Sequence, residues 1–122
     1  MLCSLAMDDE STLQYPLPDQ IYGFHAQQSC EKLFKALIST HDRDYPFTHE
    51  LEKLLKLLVA CGESLPSVPF AFERMEPFAV VLRYDFGPGL SADDRNLVRE
   101  SVAILREHVV GRILELERIG RP

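Results

Sequence analysis

The sequence predicts an all-α protein, an up-and-down four-helix-bundle-like fold with a truncated first helix and a kinked third segment. Apolar side chains recur in steps of three and four at Ala26, Cys30, Leu33, Phe34, Leu37 and Ile38, at Leu51, Leu54, Leu55, Leu58 and Val59, and at Val98, Val102, Leu105, Val109, Ile113 and Leu116. Each set lines one stripe of a helix and needs a neighbour to bury it. The stretch that reads most like a strand, Phe78 to Tyr84 with Val80-Val81, has no partner elsewhere in the chain, and a lone strand is not stable in water. Short connections between the helices favour antiparallel packing in a bundle.

Residues 1 to 10 have length for at most two turns, with Leu2, Leu5 and Ala6 as a fragment of an apolar face. Residues 1 to 18 thus read as a short N-terminal remnant and a connector, in which Pro16 and Pro18 forbid a continuing helix. Asp19 is suited to cap a long helix from about 20 to 40, its carboxylate accepting amide protons of the first turn. His41 to Phe47 is a charged loop. Thr48 is suited to cap a helix from about 49 to 61, packed antiparallel to the one before through Phe34, Leu37, Leu54 and Leu58. Glu52 and Lys56 form a surface pair on it, and Gly62 fits the left-handed position that ends it. Between Pro69 and Tyr84, Pro77 breaks the pattern into two short helical pieces that meet near Glu76. Gly87-Pro88-Gly89 marks a turn. Ser91 caps the last helix, from about 92 to 118, with Asp93 and Asp94 favoured in its first turn by the helix dipole.

A chain of 122 residues fits a single domain, residues 1 to 122. Charged residues make up 26% and apolar ones 46%, which argues against both disorder and a membrane protein. The apolar runs fall far short of the roughly 20 residues a spanning helix needs. A net charge of −6 speaks against broad, sequence-independent binding to nucleic acid, which rests on clustered Lys and Arg, yet leaves room for a local basic site. Cys3, Cys30 and Cys61 are odd in number and widely spaced, and the latter two sit in apolar helical contexts. They point to a reducing, cytoplasmic setting. Residues 1 to 7 show no secretory signal.

One helix carries more polar side chains than its periodicity requires. Phe24-His25-Ala26-Gln27-Gln28-Ser29-Cys30-Glu31-Lys32-Leu33-Phe34-Lys35-Ala36-Leu37 is followed, a loop later, by Thr48-His49-Glu50-Leu51. Both strings resemble the HEPN domain family, whose second helix reads Phe-His-Ala-Gln-Gln-x-x-Glu-Lys-x-x-Lys-Ala-Leu and whose next segment carries Thr-His-x-Leu. The family has a full first helix before the Gln-Gln helix. Either the native chain begins late here or an upstream portion is missing.

His25, Gln28, Glu31, Lys32 and Lys35 fall on neighbouring faces of that helix, close enough to form a hydrogen-bonded network that fixes register or to present donors to a ligand. Lys32, Lys35 and Arg83 are the best local source of positive charge in an acidic chain, so these six residues are the candidate ligand site. The alternative pairs Lys32 and Lys35 with neighbouring carboxylates. His49 opens its helix, where the dipole disfavours a proton, and reads as a neutral residue that caps or packs locally. His41 and His108 read as solvated. The histidines lack the pairing and cysteine partners of a zinc site, and no phosphate loop or nucleophile elbow is present, so neither metal nor cofactor is expected.

Many HEPN domains are metal-independent ribonucleases, with an arginine and a polar residue followed by a histidine four to six residues after the arginine. Histidine can move protons near neutrality while arginine offsets the charge of a phosphorane. Arg43 and His49 have that spacing, but in the loop before the third helical segment, whereas the family motif lies later. There Arg83, Arg95, Arg99 and Arg106 have no histidine at the required distance. Arg83-Tyr84 resembles a pair found in the non-nuclease branch. The resemblance therefore implies a stand-alone binding or interaction module, partner of a minimal nucleotidyltransferase in a toxin-antitoxin-like system, with a nucleotide or RNA ligand. Two alternatives stay open: a HEPN-type endoribonuclease using Arg43 and His49, assembled across a dimer, and a helical assembly protein without a ligand. A short first helix would leave apolar faces uncovered, so a homodimer or heteromer is expected.

Overall fold

Pro16 and Pro18 halt one helix and release another, and the molecule is organised around the helix they release. The computed structural model describes residues 1–79 and 89–120. Its helices are α1 (Leu2–Ser11), α2 (Asp19–Thr40), α3 (Leu51–Ala60), α4 (Phe72–Met75) and α5 (Ala92–Ile119), with 3-10 turns at Thr12–Gln14 and Glu76–Ala79. The fold is all-α, and no strand occurs among the described residues. Of the alternative strand, Phe78 and Ala79 lie in the second 3-10 turn, and residues 80 to 84 fall outside the described residues.

The stripe on α2 is buried as its spacing predicts, with Ala26, Cys30, Leu33, Phe34, Leu37 and Ile38 all fully enclosed. Leu51, Leu54 and Leu58 of α3, Met75 of α4, Phe78 and the run Val98, Val102, Leu105 and Val109 of α5 complete one core. Ile113 and Leu116 continue the α5 seam half-covered. The core demands a small residue at one point, because the Phe78 ring lies where a side chain on Gly23 would stand: a Cβ there would be 2.2 Å from the ring. The two helical pieces meet at Met75 and Glu76, next to Pro77, as expected.

Long-range contacts fix the direction of each leg. Asp9 meets His25 while Ala6 meets Ser29, so α1 runs antiparallel to α2. Phe72 meets Phe34 edge to face, Met75 touches Cys30 and Phe78 covers Gly23, so the α4 leg also descends α2. Tyr22 bonds to the Arg95 carbonyl near the start of α5, and α5 rises alongside α2. These four legs make the up-and-down bundle, with the kinked α4 segment as the third.

The antiparallel packing expected of the third helix is not found. His49, just before α3, contacts Glu31, whereas Glu63, just after it, contacts His41. α3 therefore runs in the same sense as α2. The cause is the connection: an extended chain advances about 3.3 Å per residue against 1.5 Å in a helix, so the loop can retrace two to three turns of α2 before α3 begins. Tyr45 marks its path, with the Lys35 ammonium 5.4 Å from its ring centre.

Other local expectations also change. The first segment is a ten-residue helix continued by a 3-10 turn, longer than two turns, because Ala6 and Leu13 are buried and the Ser29 hydroxyl donates to the Ala6 carbonyl at 2.8 Å. With α1 in place the apolar stripe of α2 is covered within the chain. Asp19 does not cap α2 but lies inside its first turn, where its carboxylate takes the Leu90 amide at 3.1 Å and the Arg95 guanidinium at 2.7 Å. Arg95 is the stronger attraction and holds the Asp19 carboxyl below its ordinary pKa. Thr48 sits two residues too early to cap α3, whose N-cap is Glu50, and its hydroxyl instead accepts the Glu50 amide at 3.1 Å. Ser91 caps α5 reciprocally with Asp94, and Gly62 at φ +90° closes α3, with Gly62 and Glu63 amides donating to the Val59 and Leu58 carbonyls. Glu52 and Lys56 stand 3.4 Å apart on the surface.

Candidate functional site on the second helix

Positions 25, 28, 32 and 35 repeat at helical steps, so their side chains follow one strip of α2 between α1 and the loop that leads to α3. Two carboxylates organise the strip. Asp9, from α1, accepts His25 Nδ1 at 2.9 Å on one oxygen and the Lys32 ammonium on the other. Glu31 receives His49 Nδ1 at 2.9 Å on Oε1 and Lys35 Nζ at 3.0 Å on Oε2. Each carboxylate thus holds one lysine and one histidine. A histidine that donates from Nδ1 to a carboxylate keeps Nε2 for other use, as acceptor when neutral and donor when protonated.

Glu31 is buried and its remaining capacity is taken by amides. Gln27 Nε2 donates to Glu31 Oε1 at 3.1 Å and to the His49 carbonyl at 3.0 Å, and Gln28 Nε2 donates to Gln27 Oε1 at 2.8 Å. The adjacent glutamines therefore have separate tasks: Gln27 ties α2 to the start of α3, and Gln28 holds the Gln27 amide in place. Such a network polarises its members and fixes one arrangement of α2 against the chain before α3. Of the candidate residues, His25, Gln28, Glu31, Lys32 and Lys35 are brought together, and Arg83 lies outside the described residues.

The profile of the HEPN domain matches residues 20–115, most of the chain. The chain belongs to the HEPN domain family. No curated protein and no solved structure matches it. The match begins at α2 and so leaves out α1, the element that contributes Asp9.

In this HEPN domain, Asp9 and Gln27 are members of the network that sequence reasoning missed. Gln27 was within reach of it, since the residue lies three before Cys30 and seven before Phe34 on the buried stripe, where an amide must find partners. Asp9 gave no comparable signal, because only the α1 to α2 register decides which acid meets His25.

Arg43 is exposed and, among the described residues, has no ion-pair or hydrogen-bond partner, while His49 is held by Glu31 with its side chain 65% exposed. The loop between them contains Pro46. On α5, Arg95 is committed to Asp19 and the Leu17 carbonyl, and Arg106 to Glu10.

His41 and His108 are not solvated as expected. His41 Nε2 meets Glu63 Oε2 at 2.7 Å, and Arg112 grips the same carboxylate with Nε and Nη2, both at 2.9 Å. This second cluster joins the ends of α2 and α3 to α5. His108 is half-buried, with Nε2 enclosed and unpartnered among the described residues. His41 is covered because the segment after α3 carries Glu63 between the end of α2 and Arg112 of α5, a contact no local pattern announces. Burial pushes the Cys30 thiol far above its ordinary range, which makes it a core side chain and not a nucleophile.

Proposed function

We propose that this HEPN domain is a binding and interaction module, the cytoplasmic partner of a minimal nucleotidyltransferase in a toxin-antitoxin-like system. One observation carries the reading: the strip on α2 is ordered in advance by two internal carboxylates, each shared by a lysine and a histidine. A surface whose donors are already aligned binds at a lower entropic cost, as a recognition site requires. In this reading a nucleotide or RNA phosphate meets His25, Gln28, Lys32 and Lys35 beside Glu31, with Arg83 supplying further charge, and association is as a homodimer or heteromer. Leu114 and Ile119, exposed near the end of α5, support an intermolecular contact. No helix among the described residues is long and apolar enough to cross a membrane.

In-line phosphoryl transfer needs its groups aimed rigidly at one phosphate. Among the described residues Arg43 has no such restraint, which favours binding over cleavage. Calorimetric titration with nucleoside triphosphates and short RNAs tests the reading, and heat that persists unchanged in a Lys32→Ala, Lys35→Ala double variant would remove the strip as the site. Incubation with mixed RNA in chelator is the companion experiment. Cleavage abolished by His49→Ala would establish the ribonuclease instead.

A further inference from the structure

The lysines of the α2 strip are each matched by a carboxylate, but the opposite side of α1 is not balanced in this way. Between α1 with its 3-10 turn and α5 lies a groove of about 350 Å³. Among the described residues its charged lining is two guanidinium groups, Arg99 and Arg106, against one carboxylate, Glu10. Glu10 is already engaged by Arg106 at 2.8 Å. Arg99 hydrogen-bonds to the neutral Asn96 amide, and among the described residues no carboxylate pairs with it. The groove therefore carries an excess positive charge in a chain of net charge −6.

The rest of the lining is chemically mixed. Met7, 42% exposed, and Leu13 give it an apolar wall, while Gln14 and Ser11 add polar groups at the side. A thioether accommodates flat or irregular apolar bodies readily, and a guanidinium binds carboxylate or phosphate through paired donors. A concave site with apolar walls and a few fixed polar groups is the usual form of a small-molecule site, and its volume falls within the usual range of about 300–1,000 Å³. One whole wall, residues 7 to 14, precedes the segment that the HEPN profile matches.

We propose that this groove binds a small amphipathic anion, a phosphate monoester or carboxylate on an apolar body, with Arg99 holding the anion and Met7 receiving the body. The site is separate from the α2 strip and does not depend on its role.

Met7 provides the reporter. The chain has three methionines, and Met75 is buried in the core, so methyl-labelled protein carries both a groove probe and an internal control for folding. Phenyl phosphate, benzoate and neutral benzyl alcohol are titrated in turn. The expected result is a saturable shift of the Met7 methyl with one or both anions, a much weaker one with the alcohol, and an unmoved Met75. Whether phosphate or carboxylate binds better identifies the anion. Arg99→Ala, at an exposed position, should keep the Met75 resonance and weaken anion binding by about 10- to 100-fold, the range for loss of a charge-assisted hydrogen bond. A Met7 methyl that no anion moves, or that moves equally in Arg99→Ala or with benzyl alcohol, overturns the proposal.

Discussion

Replacing Glu63 by glutamine should loosen the end of the bundle where α2 and α3 finish against α5. The Glu63 side chain is 2% exposed and accepts three charge-assisted bonds, two from Arg112 at 2.9 Å and one from His41 at 2.7 Å. Stranding one member of a fully buried pair costs about 3–5 kcal/mol. Two facts reduce that here: Arg112 is 30% exposed and can rehydrate, and it keeps Glu115 at 3.1 Å. The glutamine also retains an acceptor. A loss of about 2–3 kcal/mol is therefore expected, near the value for hydrogen bonds to charged groups. The pH dependence follows from the same contacts. Hydrogen bonding from Arg112, opposed by burial and helped by His41, holds the Glu63 carboxyl below its ordinary value of 4.5. The unfolded chain then binds the proton first as pH falls, so the stabilisation is whole above the unfolded pKa and is lost as pH drops through the folded one. Urea unfolding of both proteins at neutral pH and in steps down to strongly acid buffer measures it. A difference under about 0.5 kcal/mol at neutral pH, the scale of an ordinary surface change, or a larger difference that does not shrink in acid, would refute the reasoning.

Leu37→Ala removes a fully buried side chain from the α2 stripe and should cost about 2–5 kcal/mol in the same assay, the spread reflecting how far the cavity collapses. Gly23→Ala should destabilise by about 1–3 kcal/mol despite better helix propensity, because the new methyl meets the Phe78 ring and overpacks the core; a gain in thermal midpoint would show that the ring moves freely. Light scattering at tens of micromolar should give a mass above one chain if Leu114 and Ile119 lie in a contact, and Ile119→Lys should lower it toward the monomer.

How much of this was legible depended on distance along the chain. Helices α2, α3 and α5 are written in their apolar spacing, and the cap at Ser91 and the stop at Gly62 follow from the geometry each residue permits. The sense of α3 was not legible, because a loop of that length suits either a turn-around or a return along α2, and contacts between residues about twenty apart decide it. The same limit explains the misreading of Asp19 as a cap: its preferred partner, Arg95, is 76 residues away. In the candidate site, the polar residues on α2 were identifiable as surplus to the helix's needs. Their shared partner Asp9 was not, since it comes from an element whose length depends on tertiary packing.

The retracing loop before α3 also has an electrical consequence. In a simple alternating bundle the peptide dipoles of neighbouring helices oppose and largely cancel, whereas α2 and α3 lie side by side with the same polarity, and α5 shares it. Their partial charges therefore add at each end. The side chains answer that imbalance: Asp19, Glu52, Asp93 and Asp94 stand in the starting turns of the three helices, and His41 and Arg112 gather where α2 and α3 terminate. Glu63 draws the His41 ring and the Arg112 guanidinium to those ends, so a fixed positive group and a ring N–H stand where the helix carbonyls gather partial negative charge.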